Sequence, residues 1–174
     1  KLTHGVIVSH EIRIFGMGES AVEEALREPM TTLTNPTLAP YAGLNECMVR
    51  ATARAETPQA AEELLRPLVS QVCETLGDVV YGVDVASLEE AASKLLRERG
   101  LTLSAAESCT GGLIAKRMTD LPGASKVFRG GVVSYTNGVK AGVLGVPDAL
   151  LEQYGAVSEP VARAMAEGCR RACG

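Results

Sequence analysis

Residues 101–118 read "LTLSAAESCTGGLIAKRM". A short apolar run with alternation ends at Glu107. A turn rich in polar and glycine residues follows, and then an apolar spacing of three and four. This is a strand, a tight turn and a helix, the building unit of a layered α/β fold. Two hydroxyls, a thiol and a carboxylate stand in the four positions Glu107, Ser108, Cys109 and Thr110, with Gly111 and Gly112 directly behind.

On either side the pattern is consistent. "DVASLEEAASKLLRERG" (84–100) carries a helical stripe at Leu88, Ala91, Ala92, Leu95 and Leu96, with the Ser87/Glu90 spacing of a capping box and Gly100 as its stop. Downstream, "GVVSY" (131–135) reads as a buried strand and "NGVKAGVLG" (137–145) as a short helix capped by Asn137. Another short helix falls in "PDALLEQYG" (147–155). A longer one is expected in "SEPVARAMAEGCRRACG" (158–174), with Ser158 as cap, Pro160 in its first turn and a stripe through Val161, Ala164, Met165 and Gly168. Two strands for so many helices make a thin sheet, so further strands are expected after Gly174.

The first half has a different texture. "VIVSHEIRIFG" (6–16) and "NECMVRATARA" (45–55) alternate as strands, the second with Cys47, Val49, Ala51 and Ala53 on one face. "GMGES" (16–20) is a turn in which Glu19 or Ser20 caps a helix through Leu26. "TLTNPTLAPYAG" (32–43), with two prolines, reads as a loop. Thr57 caps a helix with Pro58 in its first position, running to about Leu76, and "GDVVYGV" (77–83) is a turn and a third strand. The chain is thus expected to be α/β (α+β): a β-α-β-α-β unit over 1–86 and a truncated α/β/α sandwich over 87–174.

Charge follows the same division. The net charge is −4, but residues 1–86 hold 6 basic against 12 acidic side chains and residues 87–174 hold 11 against 9. An acidic first half with no Trp is a poor partner for nucleic acid. No apolar run reaches the ~18 residues of a membrane span, and no secretory h-region stands at the start. The five cysteines are odd in number and scattered without a CxxC, which points to reduced thiols and a cytoplasmic protein. Cys169 and Cys173 lie far in sequence from His4 and His10, so no metal site is expected.

Ser108 stands where a strand meets a helix. Backbone N–H groups of Thr110, Gly111 and Gly112 are there expected to lack helical partners and to suit an oxyanion or a phosphate. The alternative is that Ser108 or Thr110 only caps the helix. A nucleophilic serine needs a base. No histidine follows His10, which excludes a Ser-His-Asp triad within this half. Lys140 is the candidate, third in a helix behind an apolar strand, where an extra cation is disfavoured. Tyr135 could relay the proton between them. Cys109, at a helix start, is a second candidate nucleophile, and Glu107 could orient the lysine or hold a substrate hydroxyl.

Residues 102–168 resemble the C-terminal domain of the competence/damage-inducible protein A (CinA) family. The resemblance rests on "ESCTGG", "PGAS", "GGVVSYTNGVK" and "GAVSE" in that order. "FGMGES", "NPTLAPYA" and "LGDVVYG" resemble the family's KH-like middle domain. The resemblance implies a nicotinamide-nucleotide amidase that hydrolyses the carboxamide of nicotinamide mononucleotide to nicotinate mononucleotide and ammonia. It assigns nucleophile, base and helper to Ser108, Lys140 and Tyr135, and favours the nucleophile over the cap. Substrate is expected against Glu107, Cys109, Thr110, Gly111, Gly112 and Asn137, with no cofactor and a homodimeric assembly. The family's molybdopterin-binding-like domain and its "TGxAGP" segment are not in this sequence. "GMG" departs from the GxxG clamp of KH domains, so the first unit has two further readings, a structural or dimerising module and an RNA-binding one.

Overall fold

The computed structural model describes residues 5–43 and 46–174. Two residues used in the sequence reading, His4 and Asn45, lie outside them. The chain forms two compact units, Lys1–Leu88 and Glu89–Gly174. No described helix is long and apolar enough to cross a membrane.

In the first unit a four-stranded antiparallel sheet, in the order β2-β3-β1-β4, comprises β1 (Val6–Phe15), β2 (Thr37–Ala42), β3 (Glu46–Ala55) and β4 (Val80–Val83). α1 (Glu19–Ala25) and α2 (Arg27–Thr32) join β1 to β2, and α3 (Pro58–Leu76) joins β3 to β4. Alternation does the sorting. Ile12 and Ile14 of β1 and Val49, Ala51 and Ala53 of β3 have no exposed surface and meet Ala61, Leu65, Leu68 and Val72 of α3. Each fully buried valine, leucine or isoleucine contributes about 1.5–3 kcal/mol of transfer free energy. The small alanines of β3 let α3 lie close to the sheet. Thr57 accepts from Ala60 N at 3.2 Å with Pro58 at the helix start, as its sequence requires.

The α+β character stands, but the order is β-α-α-β-β-α-β rather than β-α-β-α-β. The stretch read as a loop contains β2. Pro40 is tolerated there because β2 is an edge strand, where a missing N–H costs no ladder bond. The cap of α1 is Gly18, not Glu19 or Ser20; its backbone is extended and no side chain caps the helix.

The second unit centres on a two-stranded parallel sheet of β5 (Leu103–Glu107) and β6 (Phe128–Val133). α4 (Leu88–Glu98) precedes it, and Leu95 of its stripe is exposed rather than buried. α5 (Leu113–Thr119) joins the strands and packs on β6. α6 (Asn137–Leu144) and α7 (Asp148–Tyr154) pack on α8 (Glu159–Cys173), which lies against both strands. Leu144, Val146, Leu151, Val161, Met165 and Cys169 form its core. At Gly168 a Cβ would stand 2.0 Å from the Leu144 carbonyl oxygen, so α8 crosses the end of α6 at a distance only glycine allows.

Two helix starts and one cap differ from the sequence reading. α5 begins at Leu113 with Gly112 before it, past the Ser108 and Thr110 offered as caps, because Gly111 (φ +61°) and Gly112 (φ +100°) are left-handed and hold the chain in a turn. α6 is capped by Thr136, whose hydroxyl accepts from Val139 N at 3.4 Å. Asn137 is therefore its first helical residue and Lys140 its fourth. Ser158 precedes α8 as expected, but its hydroxyl donates backwards to Gly155 O at 3.0 Å.

Candidate active site

β5 and β6 run parallel with Glu107 opposite Val133, so both strands end at one edge and their next residues, Ser108 and Ser134, emerge together. The Glu107 carbonyl accepts from Ser134 N at 2.7 Å and from the Ser134 hydroxyl at 3.3 Å. Ser134 has no exposed surface. This stitch fixes where β6 turns into α6, and so where Lys140 points.

Lys140 is 2% exposed. Its Nζ donates to Ser134 O at 2.7 Å, reaches Tyr135 O at 3.5 Å and lies 3.1 Å from Ser108 Oγ. Among the described residues no carboxylate pairs with it. Its polar neighbours are three oxygens: the Ser134 and Tyr135 carbonyls and the Ser108 hydroxyl.

Glu107 is neither solvent-facing nor turned to the lysine, and its side chain is not free for a substrate. It is 3% exposed. Its Oε1 accepts from Ala115 N at 2.9 Å, and its Oε2 accepts from Ile114 N at 2.9 Å and from the Thr110 hydroxyl at 2.7 Å. Burial pushes its carboxyl up, but the N–H groups of Ala115 and Ile114, the Thr110 hydroxyl and the Gly112 N–H together hold it below the usual value of 4.5. The anion at the start of α5 therefore comes from the protein itself.

That changes which donors remain. Gly111 N donates to Ser108 O at 3.0 Å and Gly112 N is directed at Glu107, so neither glycine amide is the free donor the sequence reading expected. Among the described residues, the amides of Cys109 and Thr110, next to Ser108, have no hydrogen-bond partner. The thiol of Cys109 is exposed.

Two expected members stand apart. Tyr135 is 73% exposed, and its hydroxyl bonds neither Ser108 nor Lys140; direct contact of those two leaves no gap for a relay. What Tyr135 offers is its main-chain carbonyl. Asn137 is exposed in the first turn of α6 and takes no part in the cluster. Ser134 is the residue the sequence reading missed. Its signal was a lone polar side chain at the end of an apolar strand, which reads equally well as the first residue of a loop.

Among the described residues no cluster of histidine, cysteine, aspartate and glutamate could hold a metal ion. The first unit has a cavity of about 360 Å³ bounded by Phe15, Met17, Glu19, Glu46 and Cys47, but among the described residues no nucleophile there is paired with a base.

Residues 85–174 match the family model described as the CinA C-terminal domain, and residues 9–82 the one described as the damage-inducible protein CinA KH domain. A CinA-like protein of Dictyoglomus turgidum is 46% identical over 170 residues, covering 98% of this chain and 41% of that protein. A CinA-like protein of Desulfovibrio desulfuricans is 50% identical over 169 residues, covering 97% of this chain and 40% of that protein. The chain spans about two fifths of the length of these curated relatives. Among solved structures, the competence/damage-inducible protein CihA of Agrobacterium tumefaciens is 42% identical. That match covers 49% of this chain and 52% of the other, at a TM-score of 0.47. A CinA-superfamily protein of Escherichia coli is 39% identical, covering 49% of each chain at a TM-score of 0.48.

Proposed function

As the chain belongs to the CinA family, joining its KH domain to its C-terminal domain, we propose that Ser108 and Lys140 form the nucleophile and base of an amidohydrolase. Its substrate is the carboxamide of nicotinamide mononucleotide. One observation carries the reading: a lysine amine that is 2% exposed, with no carboxylate partner among the described residues, lies 3.1 Å from a serine hydroxyl at a strand-to-helix turn.

The chemistry follows from the geometry. The Lys140 amine accepts the Ser108 proton as Oγ attacks the carboxamide carbon. The amides of Cys109 and Thr110 donate to the oxyanion; the residue after the nucleophile serves in this way in other strand-turn-helix hydrolases. The protonated lysine returns its proton to the leaving nitrogen, which departs as ammonia. Water, deprotonated by the same amine, cleaves the ester and releases nicotinate mononucleotide.

The test is ammonia release and conversion of the mononucleotide, followed by chromatography. Ser108→Ala and Lys140→Arg should each lower turnover at least about a thousand-fold, because members of a catalytic unit fail together and a guanidinium stays protonated. Cys109→Ala removes the thiol but keeps the amide. If that variant is dead while Ser108→Ala turns over, the thiol is the nucleophile and the reading is wrong.

A further inference from the structure

We infer that Glu107 is a positioning residue that aims the Ser108 hydroxyl at Lys140, a role that rests on the Ser108–Lys140 reading above. The carboxylate gathers Ile114 N and Ala115 N at 2.9 Å and the Thr110 hydroxyl at 2.7 Å. It sits at 3% exposure without a cation among the described residues. A conventional cap is a short side chain at the residue before the helix, satisfying one or two N–H groups. Here the acceptor comes from the last residue of β5, on the far side of the turn, and closes a ring around Ser108–Leu113. The main chain of the same residue holds the other half of the pair: its carbonyl binds Ser134, and the Ser134 carbonyl binds Lys140 Nζ at 2.7 Å. One residue thus fixes the nucleophile through its side chain and the base through its backbone.

The charge state matters as much as the reach. Every group facing the carboxylate is a donor, so an acceptor on both oxygens is required. Glu107→Gln keeps the size but sets an NH₂ against an N–H or O–H. One donor then goes unsatisfied and the turn must shift. A displacement of about 1 Å at a reacting atom lowers rate on the order of 100-fold.

The test reads the serine directly. A fluorophosphonate forms a Ser108 Oγ–P bond with loss of fluoride, the serine proton passing to the base. Its labelling of this chain is measured far below the melting temperature and resolved into a maximal rate and a half-saturating concentration. For Glu107→Gln the maximal rate should fall roughly 100-fold with the half-saturating concentration unchanged. A merely structural carboxylate would lower the melting temperature and leave the labelling of folded protein as it was; that result overturns the inference. Should Glu107→Gln fail to fold, Thr110→Val removes one donor at constant shape and should slow labelling several-fold; an unaltered rate there also overturns it. If the unmutated chain does not label at Ser108, the Ser108–Lys140 reading falls and this role falls with it. Labelling of the unmutated chain and of Glu107→Gln at equal rates removes the positioning role alone.

Discussion

Gly168→Ala probes the packing that carries Lys140. The added Cβ would stand 2.0 Å from the Leu144 carbonyl oxygen, 2.8 Å from its carbonyl carbon and 3.0 Å from its Cα. A carbon–oxygen contact needs about 3.3 Å, so the helices must part by about 1.3 Å. The obstacle is backbone within a helix and cannot rotate aside. Parting α6 from α8 loosens Leu144, Val161, Met165 and Cys169, which are now 7% exposed or less. A gap of 0.5–1 Å forfeits a quarter to a half of each contact, and overpacking typically costs about 1–3 kcal/mol. With a rigid obstacle the upper figure applies. Alanine returns roughly 0.5–1 kcal/mol of helix propensity, leaving a net loss of about 2 kcal/mol. For a unit under 100 residues that lowers the melting temperature by roughly 8–16 °C. Scanning calorimetry of the two proteins measures it. A fall of under about 3 °C would refute the close crossing of α8 over α6.

Gly142→Ala is the matched opposite: it lies in α6 with nothing within 4 Å of its Cβ position, so calorimetry should show a gain of about 0.5–1 kcal/mol, and any loss contradicts the open face assigned to it. In the first unit the His10 imidazolium donates from Nε2 to Glu62 at 2.8 Å and from Nδ1 to Asp84 at 2.5 Å, and those two hydrogen bonds, Glu62 first, hold its pKa above the usual 6.5 against the effect of burial. A raised folded-state value stabilises fully below pH 6.5 and is lost as pH rises through the folded value, so urea midpoints should fall on going from pH 6 upward, and His10→Gln should flatten that slope; an equal slope in both proteins would exclude His10 as its source.

How much of this was legible in the sequence depends on the range of each interaction. Alternation placed β1 and β3, and a Thr-Pro start placed α3, because burial on a strand face and capping at a helix end are set within a few residues. The turn after β5 was legible for the same reason, and so were the two residues of the pair, a serine at a strand end and a lysine early in a helix. β2 was not legible, because two prolines suit a loop and an edge strand equally, and only its pairing with β3 separates the two. The site's wiring was decided by tertiary structure alone. The parallel register of β5 and β6 sets Glu107 opposite Val133, and from that follow the Ser134 stitch and the 3.1 Å contact between residues 32 apart in the chain. Glu107, expected to face the lysine or a substrate, is buried, and Tyr135, expected as a relay, is exposed, on the same ground. A carboxylate is drawn inward when several backbone donors converge on it, and a tyrosine hydroxyl is left to solvent when Ser108 and Lys140 already touch. Local sequence records which residues can do chemistry; which of them meet is a property of strand register and helix crossing.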